Sequence, residues 1–306
     1  MAGEEGTKAV VIALTANLTI AVAKFVAAAI TGSASMAAEG VHSVADSTNQ
    51  ALLLIGGKRA KREATETHQF GYGRERYVYA FIVSIVLFAV GGLYALYEGY
   101  HKLSHPEKLT SPLVAIGVLV FAIVLESYAL IAAIRLANHS RRSGWFHFVR
   151  HAKAPELPTI LLEDAAAVTG LILALLGVGL TWWTGNGRFD GAATLGIGIV
   201  LGVVAVFLAI EMKSLLIGES AVPADVDSIR TALTADPVVD SVNHLRTMHL
   251  GPEELLVTAN IAVREGASAE EIGAAIDGAE ERIRSAVPIA TVIYIEPDTQ
   301  ALPTAL

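Results

Sequence analysis

The sequence predicts an α-helical membrane protein: six transmembrane helices followed by a small cytosolic α/β domain, ferredoxin-like, with the element order αββαβ. The first observation is composition, because mean hydropathy is +0.53 and only 17% of the 306 residues are charged, far less than in soluble proteins. The second is the recurrence of apolar windows of about 20 residues, the length that crosses a bilayer. The third is a rise in charge after Lys213. We therefore divide the chain into a transmembrane domain, residues 1–212, and a cytosolic C-terminal domain, residues 213–306.

The predicted spans are continuous apolar segments with little charge. The first is longer than the hydrophobic region of a usual signal peptide, follows acidic Glu4 and Glu5, and lacks a clear cleavage site, so we assign it as a membrane helix. The absence of a cleavable presequence favours a bacterial-type plasma membrane. The spans are residues 9–30, 34–56, 77–99, 112–136, 157–182 and 190–211.

Basic residues are concentrated in two of the loops. By the positive-inside rule, these loops, between spans two and three and between spans four and five, face the cytosol. Both termini then lie on the cytosolic side. The basic residues are Lys58, Arg59, Lys61, Arg62, Arg74 and Arg76 in the first loop, and Arg141, Arg142, Arg150 and Lys153 in the second.

The C-terminal domain alternates helical and strand patterns. Pro223 opens the first helical pattern, and Ser268, three positions before Glu271, gives the capping-box pattern of a second helix. The apolar runs on either side of Gly251 are typical of paired strands. The predicted elements are helix 223–235, strands Val242–Leu250 and Leu255–Val263, helix 268–286 and strand Thr291–Ile295.

Composition also excludes several functions. The chain has no cysteine, so it has no disulfide, thiolate metal site or thiol redox chemistry. A net charge of −8 and the lack of a basic stripe in the C-terminal domain give no support to nucleic-acid binding. No set of nucleophile, base and acid is visible, so we expect neither an enzyme nor a cofactor.

Polar side chains interrupt the second span at helical spacing. His42 and Asp46 are four residues apart, so they lie on one side of a helix, one turn apart, and Glu39 and Asn49 extend that side. A charged residue at mid-membrane depth costs about 2.5–3.5 kcal/mol even on lenient insertion scales. Such residues are therefore functional candidates.

Further polar residues occur in other spans. Glu163 and Asp164 are adjacent in span five, about 100° apart on a helix, and Asn17 lies in span one. A lone intramembrane Asn often serves only as an interhelical hydrogen-bond partner. Glu126 fits a packing role as well as transport, and Lys24 is most simply a residue that snorkels to the interface.

The polar residues fit a divalent metal ion. Ionised Asp46 and Asp164 with neutral His42 give a charge of −2, which one divalent cation cancels. One imidazole, two carboxylates and no sulfur suit Zn²⁺ and also Co²⁺, Fe²⁺ or Mn²⁺. Further ligands could come from Asn17, Asn49, Glu163 or water.

Four stretches together carry a resemblance to a known family. Ser35–Gln50 looks like the second helix of the cation diffusion facilitator family of divalent-metal transporters, and His68–Arg74 resembles its cytoplasmic loop. Leu161–Asp164 resembles its fifth helix, most like the branch containing zinc transporter nine. Tyr294–Pro297 resembles the end of its cytosolic domain.

The resemblance implies a homodimer in the lipid bilayer that exports a divalent metal from the cytosol in exchange for protons. Zn²⁺ is the metal that we expect first. The resemblance places transport ligands at His42, Asp46 and Asp164. The family's second ligand in helix five falls on Ile160, which cannot bind a metal through its side chain, so Asn17, Asn49 and Glu163 become candidate replacements.

Two accessory metal sites of the family are reduced in this chain. His68 matches a loop ligand, but the second position is Tyr72, so a structural His68 is favoured. His249 and Glu296 fall where relatives bind regulatory metal, whereas Tyr294 stands where a His would help. We expect a weak metal site or none in this domain, which would serve for dimerisation.

Two functions remain open from sequence. The first is a proton-coupled exporter, because protons and metal compete for the same side chains. The second is a membrane metal sensor or scaffold that keeps the fold without transport, which the missing ligand at Ile160 encourages. Asp164 supplies an acidic partner for His42, so transport is favoured, with Mn²⁺, Co²⁺ and Fe²⁺ as alternative cargo.

Overall fold

The computed structural model describes residues 2–106, 109–140 and 144–298, so Arg141 and Arg142 of the second basic loop lie outside the described residues. The chain divides into two compact units. The first contains the chain up to Lys58 together with Arg76–Lys213. The second combines Arg59–Glu75, a loop from the first half of the sequence, with the chain from Ser214 onward.

The first unit is helical. Apolar sequence and the shortage of Pro inside the segments favour long helices. Two pairs of them, α1–α2 and α7–α8, are separated by short turns at glycine, where Gly32 and Gly185 have positive φ values of 68° and 69°. The helices are α1 (Ala2–Thr31), α2 (Ala34–Ala60), α3 (Glu75–Val86), α4 (Leu93–Ser104), α5 (Pro112–Ser140), α6 (Trp145–His151), α7 (Glu156–Thr184) and α8 (Arg188–Ile217).

Four helical segments of the described chain are long and apolar enough to cross a membrane: Glu75–Ser104, Pro112–Asn138, Glu156–Thr184 and Arg188–Ile217. They coincide with predicted spans three to six. In α1 the described apolar part is the shorter segment Asn17–Thr31, and α2 contains the polar residues noted above. The structure thus gives a helical membrane domain with four candidate spans, and six spans remain a prediction.

A π-helical segment, Leu87–Gly92, joins α3 to α4 without breaking the helix. Such segments place one extra residue in a turn and are frequent at functional sites. Gly91, within this segment, is buried against α8, where a Cβ would lie 3.2 Å from Leu201. Nothing in the hydrophobic pattern of the sequence predicts this irregularity.

Glycines bring α4 and α8 close together. A Cβ at Gly99 would lie 2.5 Å from the backbone nitrogen of Leu195, and one at Gly198 would lie 2.7 Å from that of Leu96. Small residues allow this approach in membrane proteins, where van der Waals packing replaces the hydrophobic effect between helices. Fully buried Leu171 of α7 and Ile197 of α8 belong to the same apolar core.

A buried carboxylate fixes the start of α2. Asp190, in the first turn of α8, is 0% exposed and accepts hydrogen bonds from Ser33 Oγ at 2.9 Å and from the backbone nitrogen of Ala34 at 2.7 Å. It also accepts bonds from the backbone nitrogen and the hydroxyl of Ser35. Asp190 therefore satisfies amide groups at the amino end of α2, where the helix dipole favours negative charge.

The second unit is a small α/β domain whose element order agrees with the predicted αββαβ. Its sheet has the strand order β1-β2-β3, with β1 antiparallel to β2 and β2 parallel to β3. The parallel pair is joined by a helical crossover, as such pairs require. The ferredoxin-like fold itself remains a prediction. The elements are α9 (Pro223–Leu233), β1 (Val239–Gly251), β2 (Glu254–Val263), α10 (Ala269–Ala286) and β3 (Ala290–Asp298).

The predicted capping box of α10 is confirmed. Ser268 Oγ accepts a hydrogen bond from the backbone nitrogen of Glu271 at 3.2 Å, and the Glu271 carboxylate accepts one from the backbone nitrogen of Ser268 at 2.8 Å. The helix packs its apolar side, including Ala279 and Ile283, on the sheet core around Val257. The cap and the apolar side together fix where α10 begins.

The loop of the second unit packs on the β1–β2 hairpin. A Cβ at Gly73 would lie 2.9 Å from the carbonyl oxygen of Leu250, and one at Gly251 would lie 2.9 Å from the Cα of Gly73. Arg74 Nη2 lies 3.1 Å from Met248 Sδ. The segment that leads from α2 toward α3 is thus part of the C-terminal body.

Candidate metal centre

Four polar side chains form one side of α2, which we call the α2 polar face: Glu39, His42, Asp46 and Asn49. The 39, 42, 46, 49 spacing places them in register with the helical turn. Glu39 and Asn49 are 0% exposed and His42 is 1% exposed, whereas the Asp46 side chain is 13% exposed. The face is therefore buried inside the helical unit.

Within the α2 polar face, several atoms have no hydrogen-bond partner among the described residues. His42 Nδ1 lies 3.5 Å from Asp46 Oδ1, one turn away, which is too long for a good hydrogen bond. Buried polar groups are normally satisfied, so a row of unpartnered ones calls for an explanation such as a bound ion. The atoms are Glu39 Oε1, both ring nitrogens of His42, Asp46 Oδ1 and Asn49 Oδ1.

Two glycines of neighbouring helices border this row. A Cβ at Gly91, in the π-helical segment, would lie 4.0 Å from His42 Nδ1. A Cβ at Gly170 of α7 would collide with Glu39 Oε1. The absence of side chains at Gly91 and Gly170 thus lets the π-helical segment and α7 lie close to the side chains of the α2 polar face.

Helix α7 brings the two predicted carboxylates to this region. Glu163 is buried, and its Oε1 accepts a hydrogen bond from Asn49 Nδ2 at 2.6 Å. Asn49 thus makes the interhelical bond that the sequence left open. Asp164 is half-buried, and the charges of Glu126, Glu163 and Asp164 all act on Asp46.

The three predicted ligands are not drawn together into a formed site. Among the described residues, no three His, Asp or Glu side chains lie close enough together to hold an ion. The structure pairs His42 with Asp46 and pairs Asn49 with Glu163, but it does not complete a ligand set with Asp164. A bound ion would require the helices to adjust.

Lys24 corrects the expectation of a snorkelling residue. Its side chain is 0% exposed, and its Nζ lies 3.2 Å from Glu39 Oε2 and 2.8 Å from Ser43 Oγ. The residue does not reach an interface because an acidic partner lies opposite it on α2. Sequence reasoning missed this pair, although an unpaired Lys and an unpaired Glu in adjacent spans were the available signal.

The remaining predicted positions lie apart from this face. Asn17 is half-buried in α1, and its role as a ligand stays a prediction. His68 is exposed in the loop, and its ring lies 4.6 Å from that of Tyr72. The His68 backbone nitrogen donates to Thr65 Oγ1. A structural role for His68 stays a prediction.

The strand register separates the two accessory positions of the C-terminal domain. His249 is buried and pairs with Leu255, whose neighbour on β3 is Ala290. Glu296 lies beside Asn260 and accepts a bond from its amide. With a strand rise of about 3.3 Å per residue, His249 and Glu296 cannot share one ion. Glu296 shares a surface cavity with His244 instead.

A helical membrane domain with a buried imidazole and several buried carboxylates defines an integral membrane protein with ionisable groups in its interior. The sequence comparisons name the family. The cation efflux transmembrane domain matches residues 10–217, and the cation efflux protein cytoplasmic domain matches residues 221–298. The chain therefore belongs to the cation efflux family, a family of transporters, and the resemblance noted from sequence is confirmed.

Individual relatives cover most of this chain. The proton-coupled zinc antiporter SLC30A9, mitochondrial, of Xenopus laevis is 34% identical over 83% of this chain and 46% of its own length. Metal tolerance protein C4 of Arabidopsis thaliana is 30% identical over 84% of this chain and 57% of its own length. Cation-efflux pump FieF of Klebsiella pneumoniae is 25% identical over 90% of this chain and 87% of its own length. The chain thus spans about half the length of the first two.

Proposed function

We propose that this protein is a proton-coupled antiporter that exports a divalent metal cation from the cytosol, with Zn²⁺ as the favoured cargo. The observation that carries the proposal is the row of buried, unpartnered nitrogen and oxygen atoms along the α2 polar face. Among them, the ring nitrogens of His42 and the carboxylate oxygen of Asp46 match the ligand types of Zn²⁺ in a site without cysteine. The Xenopus relative, a proton-coupled zinc antiporter, supports the same cargo and coupling.

In this proposal His42, Asp46 and Asp164 bind the ion. The imidazole supplies a neutral nitrogen, and the two carboxylates cancel the charge of the cation, which a low-dielectric surrounding demands. Asn17, Asn49 and Glu163 are candidates for the coordination position that Ile160 cannot fill. Because Asn49 and Glu163 are bonded to each other at 2.6 Å, either can become a ligand only when that bond breaks.

Proton exchange follows from the ligands themselves. A metal ion needs deprotonated carboxylates and a neutral imidazole, so binding releases protons and protonation expels the metal. Movement of α7 relative to α2 would bring Asp164 toward His42 and Asp46 in one state and withdraw it in another. Alternating exposure of the two states would then convert this competition into exchange.

We also propose the finer topology and assembly. The chain would cross the membrane six times, with both termini in the cytosol of a cell bounded by a bacterial-type plasma membrane. The C-terminal domain would be ferredoxin-like and would pair two chains into a homodimer. Support for the dimer comes from the cytoplasmic domain of the family, a dimer domain, which matches residues 221–298.

The test is transport by the purified full-length chain in proteoliposomes with an imposed pH gradient and Zn²⁺, Mn²⁺, Co²⁺, Fe²⁺ or Cd²⁺. Asp46→Asn and Asp164→Asn should each abolish flux and preserve the folded dimer, because either change leaves the buried ion with an uncompensated positive charge. The matched control is Glu156→Gln on α7, whose carboxylate forms a part-exposed ion pair with Arg76 at 3.5 Å. Near-normal flux in either Asp variant would refute the site assignment.

A metal sensor or scaffold is the second candidate, because the described residues hold no preformed group of three ligands. A sensor would bind Zn²⁺ at equilibrium and would show no flux at any pH gradient. Binding without flux in the unmodified chain would therefore favour the sensor over the antiporter.

A further inference from the structure

The ion pair between Lys24 and Glu39 stands directly beside the α2 polar face. Lys24 Nζ lies 3.2 Å from Glu39 Oε2 and 2.8 Å from Ser43 Oγ, and Ser43 is the residue after His42. The charge of Lys24 acts on Glu39, His42 and Asp46 of α2 and on Glu126 of α5. Lys24 thus places a positive charge beside these groups.

A purely structural explanation accounts for only part of this arrangement. Buried ion pairs stabilise little on balance, since desolvation offsets most of the attraction between the charges. Lys24 occupies one carboxylate oxygen of Glu39, while the other oxygen, Oε1, has no partner among the described residues and abuts Gly170 of α7. Glu39 lies one turn from His42 on the same side of α2. Removing Lys24 would release this carboxylate one turn from His42.

We propose that Lys24 is a specificity-determining residue, an inference that rests on the proposed function. By pairing with Glu39, it withholds a third carboxylate from the ion and adds a fixed positive charge beside the site. The site then keeps few oxygen ligands and one imidazole, a set that suits Zn²⁺. An additional carboxylate would favour ions that prefer oxygen, such as Mn²⁺.

Lys24 also orients the ligands. Its bond to Ser43 Oγ ties α1 to the turn of α2 that follows His42. Phe25, the next residue of α1, packs on Gly40, where a Cβ would lie 3.1 Å from its ring. The rotation of α2 about its axis, and hence the direction of His42 and Asp46, is fixed from this side.

The experiment measures equilibrium affinity for Zn²⁺ and Mn²⁺ by calorimetry on the full-length chain in detergent. Lys24→Met should lower the ratio of the Mn²⁺ Kd to the Zn²⁺ Kd by about tenfold, the lower end of the effects seen when groups around a metal site are changed. Lys24→Met combined with Glu39→Gln should return the ratio to that of the parent, and Lys24→Arg should preserve it. A ratio that Lys24→Met leaves unchanged, with both Kd values raised in parallel, would overturn the proposal.

Glu39→Gln keeps the proposal testable if Lys24→Met fails to fold. The charge of Lys24 is then uncompensated, so both metals should bind about tenfold more weakly at an unchanged ratio, and adding Lys24→Met should restore both affinities. A changed ratio in Glu39→Gln alone would mean that Glu39 is already a ligand and would refute the inference. Binding is read independently of flux, so a parent that binds but does not transport contradicts the antiporter and leaves this test intact.

Discussion

Replacing Asp190 by Ala should destabilise the membrane domain more than any surface change. The carboxylate accepts bonds from two hydroxyls and two backbone nitrogens at the start of α2, including Ala34 at 2.7 Å and Ser33 at 2.9 Å. A hydrogen bond to a charged group contributes about 1.5–3 kcal/mol, and a buried donor without a partner costs about 1–3 kcal/mol. Because the four bonds share one carboxylate they are not additive, and we expect a loss of about 3–5 kcal/mol.

The assay is unfolding of the purified full-length chain in detergent, followed by tryptophan fluorescence, with hydrogen exchange of the α2 amino end as a local readout. Asp190→Asn keeps the shape of the side chain but replaces one carboxylate oxygen by an NH₂ group, which cannot accept hydrogen bonds. About half of the loss in unfolding free energy should therefore remain. Glu156→Ala is the control, because a part-exposed ion pair contributes about 0–1 kcal/mol. An Asp190→Ala variant within about 1 kcal/mol of the parent, with unchanged exchange at residues 33–40, would refute the reasoning.

Three further outcomes follow from packing and capping. Gly99→Ala should lower stability by about 1–3 kcal/mol through overpacking, whereas Gly179→Ala, whose Cβ would meet nothing within 4 Å, should raise it by about 0.5–1 kcal/mol; equal melting temperatures would contradict this. Bonds from Ser268 hold the pKa of Glu271 below its ordinary 4.5, so the ionised form is favoured in the folded state. The ionised Glu271 stabilises α10 above the pKa that Glu271 has in the unfolded chain. This stabilisation is lost as pH falls through the pKa of Glu271 in the folded state. Ser268→Ala should therefore speed exchange in α10 about fivefold at neutral pH through loss of the cap, and the difference should shrink in acid; a pH-independent difference would exclude the Glu271 contribution. Gly251→Ala should expose the loop 59–75 to protease, and unchanged cleavage would show that the loop is not held by the hairpin.

Sequence periodicity was enough to predict the elements of the C-terminal domain, because each of its signals is local. Ser268 and Glu271 stand three residues apart, and their capping box formed as expected. The contacts that shape the membrane domain are remote in sequence. Asp190 meets Ser33 across 157 positions, and no local pattern pairs them.

The same distinction between local and remote contacts applies to the candidate site. The spacing of His42 and Asp46 on one side of α2 could be read directly from a helical repeat. Lys24 was wrongly expected to snorkel, because a rule based on membrane depth takes no account of a partner on another helix. Gly91 of the π-helical segment packs against Leu201 of α8, a contact that composition does not encode.

The interleaving of the two bodies affects how the chain can be dissected. A truncation after Lys213 would leave residues 59–75 in place and remove the hairpin surface that Gly73 touches. An excised C-terminal fragment would conversely expose Gly251 and the neighbouring backbone to water. Each piece lacks residues that pack against it in the full chain. A defect seen in either piece would therefore reflect the broken contact between the loop and the hairpin as well as the missing domain. A fragment that fuses residues 59–75 back onto the chain from Ser214 is the smallest piece that keeps this body whole.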